Sequence, residues 1–228
     1  MSFIIIILLI IAVIFSPQWW AKHVFKRYSK KQDHISGTGG ELARHLLDRF
    51  GMQHVAVELS ENSGDHYDPE DKVVRLSPNN YNDNSLTAVA VAAHEVGHAI
   101  QDYREESKLA IRTKLVIVAN KTSRFGSAVM MVMPIALVVT RSPAAGFLFF
   151  LIGILSIAGS AIVHLITLPV EWDASFNKAL PILKEGYVRD VDIPAVEKIL
   201  KAAALTYVSA ALVSIFNVWR WIALVFRR

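Results

Sequence analysis

Apolar residues gather into four long runs, and a polar stretch of about a hundred residues separates the first run from the other three. The first run, Phe3 to Phe15, makes a helix of about 20 Å. Carried on through Trp19 and Trp20 it reaches about 27 Å, close to the hydrocarbon thickness, with the tryptophans at the interface. A cleaved leader would carry basic residues before the run and a small-x-small site after it. Here the basic residues follow the run and no such site occurs, so residues 1–20 are expected to form an uncleaved transmembrane anchor. The second run, Phe125 to Thr140, and the third, Ala144 to Leu168, are joined by Arg141-Ser142-Pro143, which predicts a membrane hairpin over 125–168. The fourth begins at Ala202 and reaches Val218. Trp219, Arg220, Trp221, Arg227 and Arg228 follow, so 202–228 reads as a transmembrane or an interfacial helix.

The polar stretch shows shorter periods. Leu42, Leu46 and Leu47 recur at helical spacing, predicting a helix over 39–50 that stops at Gly51. Short strands are expected near Val55–Leu59 and Lys72–Leu76, around a turn-rich stretch at 61–65. A loop over 77–84 leads to Ser85, a predicted N-cap for a long helix running through the 90s. The expected fold is a mostly α membrane protein: about four transmembrane helices and a small α+β domain over 21–124.

Composition narrows the chemistry. There is no cysteine, which excludes disulfides and thiolate metal sites, so any bound metal must use His, Asp or Glu. The net charge is +4, and its distribution matters more than its size. Residues 1–18 carry no Lys or Arg and the hairpin tip only Arg141, whereas 21–34, 104–124 and 169–201 are rich in both. The positive-inside bias therefore places 21–124 and 169–201 in the cytoplasm, predicting a multi-pass protein of the cell membrane with the lipid bilayer as its partner. No basic stripe with interleaved aromatics occurs outside the membrane flanks, which argues against nucleic-acid binding.

The long helix carries Ala93-His94-Glu95-Val96-Gly97-His98-Ala99, an HExxH pattern. Spacing i, i+4 stacks both imidazoles on one face, where they can share a tetrahedral ion. Glu95 lies about 100° around the helix and is placed to take a proton from the attacking water and pass it to the leaving amine. An ordinary helix with two hydrogen-bonded histidines is the plain alternative. Gly97 costs a helix about 1 kcal/mol relative to alanine, which close approach of a neighbouring backbone or a substrate strand would explain. A third ligand is needed. Asp102 continues the face, but about 6 Å farther along the same axis. Glu171, directly after the third apolar run, is the better candidate, because the hairpin returns the chain to the side it left. His164 is a rival inside the run, with a hydrogen-bonded intramembrane histidine as its ordinary role. Asp173 is a candidate to orient a ligand histidine from behind. His66, Tyr103 and Tyr187 are candidates to stabilise an oxyanion.

With these residues in place, the chain resembles the YugP-like neutral zinc metallopeptidases of bacterial membranes. The resemblance covers nearly the whole chain: the N-terminal anchor, His66-Tyr67-Asp68-Pro69, Arg75-Leu76-Ser77, the motif from Ala92 to Ala99, and Leu168-Pro169-Val170-Glu171. The layout is more distantly similar to the HtpX heat-shock protease and the CAAX prenyl proteases. The resemblance implies a zinc-dependent endopeptidase whose residues 21–124 form a zincin-like catalytic domain, with one Zn2+ per chain, His94, His98 and Glu171 as ligands, Glu95 as base, and a polypeptide substrate, membrane proteins included. In those relatives an aspartate commonly follows the glutamate by four residues; here that position is Ser175. The resemblance also implies that the strand near Val73–Leu76 is an edge on which an extended peptide pairs. Two other readings compete. A site-2-type intramembrane protease would bury HExxH in a spanning helix and take an Asp-Gly ligand, yet the chain has no Asp-Gly. A non-enzymatic metal-binding scaffold would leave Glu95 dispensable.

Overall fold

In the computed structural model the described residues are 2–60 and 64–225. The chain divides into two compact units, each built from separated segments: residues 1–17, 111–168 and 207–228 form one, and 18–110 with 169–206 the other.

The second unit is the α+β part. Helix α1 (Ser2–Arg27) leads into it, and α2 (Gly39–Arg49) follows after a loop. Thr38 starts α2 with a reciprocal cap: its hydroxyl accepts from the Glu41 backbone while the Glu41 carboxylate accepts from its own N–H. Gly51, at φ +75°, ends the helix as the sequence predicts. The backbone N–H groups of Met52 and Gly51 bond back to Leu47 and Asp48, satisfying carbonyls the last turn leaves open.

Three short strands follow: β1 (Ala56–Leu59), β2 (His66–Asp68) and β3 (Val73–Leu76), in the order β1-β3-β2. β1 pairs parallel to β3 and β2 antiparallel to it, with Val57 and Tyr67 both opposite Val74. The expectation that Val73–Leu76 is an edge is thereby corrected: β3 is central, and β1 and β2 are the edges. Val73, Val74 and Leu76 are fully buried, as suits a strand flanked on both sides, whereas β1 is largely exposed. Helix α3 (Pro78–Asn82), with proline in its first turn, occupies part of the stretch expected to be loop.

Helix α4 (Leu86–Tyr103) begins at the expected cap, where the Ser85 hydroxyl accepts from the Ala88 N–H. Every residue from Leu86 to Gln101 is buried. Such enclosure needs an apolar sequence with small side chains, and α4 supplies Ala88, Ala90, Ala92, Ala93, Gly97 and Ala99. Around it lie Leu46 and Leu47 of α2, Val74 and Leu76 of β3, and Leu183, Ile199 and Leu200 from the C-terminal part of the unit.

The first unit is helical. Helix α5 (Ser107–Thr140) and helix α6 (Pro143–Trp172) turn on only Arg141 and Ser142, giving the expected hairpin. A Cβ on Gly126 would meet the Gly153 carbonyl oxygen at 2.9 Å, so the two backbones approach closely through small residues, as is common between membrane helices. Beside them, Met130, Met133, Phe150 and Ile157 form a core. Outward, Met131, Ile135, Val138 and Val139 of α5 and Phe147 and Leu155 of α6 stand exposed. A water-facing surface rarely shows so long an apolar face; a lipid-facing one requires it.

After α6 the chain stays helical through a wider π-helical stretch, Asp173–Ala179, and α7 (Leu180–Lys184). Pro181 cannot donate to the carbonyl four residues back and its ring crowds it, which the wider turn relieves. A 3-10 turn at Asp190–Asp192 then opens α8 (Ile193–Val225). Among the described residues three helical stretches are long and apolar enough to cross a membrane: Ser107–Thr140, Pro143–Lys184 and Asp190–Phe216. The expected first apolar run lies within α1. The expected ambiguity over 219–228 ends in Arg227 and Arg228, which lie outside the described residues, as do residues 61–63 of the predicted turn.

Candidate metal centre

His94 and His98 stand one turn apart on α4 and present Nε2 to the same carboxylate oxygen. Oε2 of Glu171, at the end of α6, lies 3.5 Å from Nε2 of His94 and 3.2 Å from Nε2 of His98. All three side chains are buried, Glu171 to 1% exposure. No other group of three or more His, Asp or Glu able to hold a metal occurs among the described residues.

The partners behind the imidazoles fix their protons. Gln101 places its Nε2 3.1 Å from the Val170 carbonyl, which can only accept, so its Oε1 must face His98. That oxygen is 2.9 Å from Nδ1 of His98, which must therefore carry the hydrogen. Ser175, in the π-helical stretch, donates to the Leu200 carbonyl at 3.3 Å and offers a lone pair 3.0 Å from Nδ1 of His94. With both Nδ1 atoms placed as N–H donors, both Nε2 atoms are the ones turned toward the carboxylate. Two imidazole nitrogens and a carboxylate oxygen that converge in a buried site form a group that could hold a metal ion. Bonds of about 2.0–2.2 Å to a tetrahedral ion set its donors about 3.3–3.6 Å apart, close to the 3.5 and 3.2 Å that separate the Glu171 oxygen from the two imidazoles. A donor set of two imidazoles and one carboxylate suits zinc.

Gly97 lets this arrangement close. A Cβ there would sit 2.8 Å from the Ala174 carbonyl oxygen, so the approaching backbone anticipated from the sequence is the π-helical stretch itself. Gly97→Ala is expected to push the two apart and to cost about 1–3 kcal/mol. Zinc affinity should fall with it, measured by chelator competition alongside denaturant unfolding.

The remaining sequence candidates fall elsewhere. Asp102, one turn beyond His98, accepts from the Tyr67 hydroxyl and the Lys72 ammonium, both at 2.6 Å, tying β2 and the β2–β3 turn to α4. Burial, reinforced by Asp102, pushes the Tyr67 phenol well above its usual range, so it remains a donor. His66 lies on β2 with Nδ1 3.2 Å from the Gly64 carbonyl. Tyr103 is 57% exposed beside His54. Tyr187 bonds His45 at 2.9 Å and Arg49 at 3.3 Å. In the helical unit, His164 packs near the Tyr207 ring, which the Arg112 guanidinium also covers. Asp173 touches neither histidine but accepts from Gln101 at 2.8 Å. Glu95 is buried on α4.

Sequence reasoning missed Gln101 and the contact made by Ser175. Gln101 had a signal: it lies three residues past His98, on the same helical face, as a polar residue in an apolar segment. Ser175 had one too, as the fourth residue after Glu171.

A mostly helical chain with membrane-capable helices and a buried His-His-Glu group defines a class, and comparison with known proteins agrees. Residues 3–226 match the family described as "Putative neutral zinc metallopeptidase", and the chain belongs to that family. It is 38% identical to the "Putative membrane protease YugP" of Bacillus subtilis (strain 168), over 97% of this chain and 96% of that protein. No solved structure matches it.

Proposed function

We propose that the chain is a membrane-integrated zinc endopeptidase in which His94, His98 and Glu171 hold one zinc ion and Glu95 is the general base. The observation that carries this reading is the convergence of two Nε2 atoms on one buried carboxylate oxygen. The family supports the peptidase assignment. We further infer that α1 supplies a fourth span and that residues 21–124 and 169–201 face the cytoplasm, on the charge distribution described above.

When bound, zinc supplies Lewis-acid chemistry: it polarises the scissile carbonyl and makes water a stronger acid. The chain's own residues do the rest. The Glu95 carboxylate takes a proton from the attacking water as the new C–O bond forms at the carbonyl carbon. It then returns that proton to the amide nitrogen as the C–N bond breaks, giving a carboxylic acid and an amine. Gln101 and Ser175 keep the pair of imidazoles oriented, buried Glu171 completes the donor set, and Gly97 lets the π-helical backbone after Glu171 lie close against α4. An extended substrate pairs with β2, the edge strand that Tyr67 ties to α4, rather than with the central β3. α4 is not among the membrane-capable stretches, which weighs against the site-2-type reading.

The test is reconstitution. Detergent-purified protein, stripped by chelator, should regain cleavage of an unfolded polypeptide with one equivalent of zinc. A folded chain that binds no zinc would sink the reading.

A further inference from the structure

Gln101 is 1% exposed and makes three directed contacts from a single amide. Its oxygen accepts from Nδ1–H of His98, and its nitrogen donates to the Val170 carbonyl and to Oδ2 of Asp173. The amide therefore joins α4 to the chain on either side of Glu171. One ligand, His98, lies on one side of it, and the neighbours of the other, Val170 and Asp173, on the other side.

The chain of contacts continues. Oδ2 of Asp173 also accepts from Lys178 at 2.8 Å, and Lys178 reaches Glu106 at 3.0 Å. Glu106 donates its backbone N–H to the carbonyl of Gln101 at 2.9 Å, so the loop closes where α4 ends. A carboxylate in the place of Gln101 could accept from His98 but could not donate to Val170 or Asp173. A lysine could donate but not accept. Only an amide meets all three demands.

We propose that Gln101 is the positioning residue of the metal centre. It holds His98 in the Nδ1–H tautomer, fixes the distance between His98 and Glu171, and conveys to His98 the anchoring that Asp173 provides. This rests on the zinc-peptidase reading above and adds a role for two residues outside the ligand set. Neither Gln101 nor Asp173 touches the reacting atoms.

The experiment measures zinc affinity of the stripped full-length protein in detergent, by competition with a chromophoric chelator, for wild type, Gln101→Met, Asp173→Ala and the double variant. Methionine keeps the length of the side chain and removes both polar ends. Gln101→Met should weaken zinc binding about 10- to 100-fold, and the Co2+ absorption spectrum should shift as His98 loses its orientation. Asp173→Ala should weaken binding less. It should have no further effect once Gln101 is methionine, because its influence passes through the amide. Wild-type affinity in Gln101→Met would overturn the proposal, as would an equal loss from Asp173→Ala in both backgrounds. Should Gln101→Met fail to fold, Asp173→Ala with Gln101 intact decides: wild-type zinc affinity there overturns it. If wild type itself binds no zinc, the peptidase reading fails instead, and the two failures are distinguishable.

Discussion

Replacing Glu95 by glutamine should leave one zinc per chain and reduce peptide hydrolysis by about 10²- to 10⁴-fold, the range for loss of a positioned base. Glutamine keeps the shape and burial of the side chain on α4, so neither the histidine spacing nor the helix packing changes. What it loses is the ability to accept a proton from the attacking water. Because that transfer occurs only in the transition state, kcat and kcat/KM should fall together while KM holds. Steady-state cleavage of a fluorogenic unfolded substrate, with zinc content measured on the same samples, checks this. Equal rates in wild type and Glu95→Gln would remove Glu95 from the mechanism.

Glu171→Gln should have the second large effect. Zinc binding should weaken by more than about 100-fold, beyond what loss of a residue behind a ligand costs, because the only anionic donor of the group is gone. Denaturant unfolding with and without zinc checks this. Wild type gains stability with zinc, about 2.7 kcal/mol at a hundredfold excess over Kd, and Glu171→Gln should gain less than about 0.4 kcal/mol at the same zinc concentration. Zinc stabilisation of Glu171→Gln equal to that of wild type would show that the carboxylate is not a ligand.

How much of this could be read from residues alone varies with the range of the interaction. Local signals served well. Ser85 caps α4, Gly51 stops α2, and the two-residue link at Arg141-Ser142 forms the hairpin. Each of these depends on groups within a few residues of one another. The His94, His98 and Glu171 group was also legible, because a helical period fixes the first two and the return of the hairpin argues for the third. Sheet order was not. Three strands of three or four residues carry too little alternation to mark an edge, and whether β3 lies beside β1 depends on pairing across seventeen residues. β2 itself, three residues between Gly64 and Pro69, has no pattern to detect. The π-helical stretch was hidden for another reason: it packs against Gly97, about seventy-five residues earlier in the chain, and only the assembled unit brings the two together. Gln101 stood in plain view on the ligand face, yet its meaning depends on a carbonyl and a carboxylate about seventy residues away.

That last separation has a consequence for the birth of the molecule. The motif helix leaves the ribosome 73 residues before the carboxylate that completes its donor set, with both helices of the hairpin in between. At about 5–20 residues per second the histidine pair waits several seconds for its partner. A nascent chain, or one truncated before residue 171, therefore carries two of the three proposed ligands and lacks the third. Under the proposed reading, hydrolysis becomes possible only after the hairpin and Glu171 have been made.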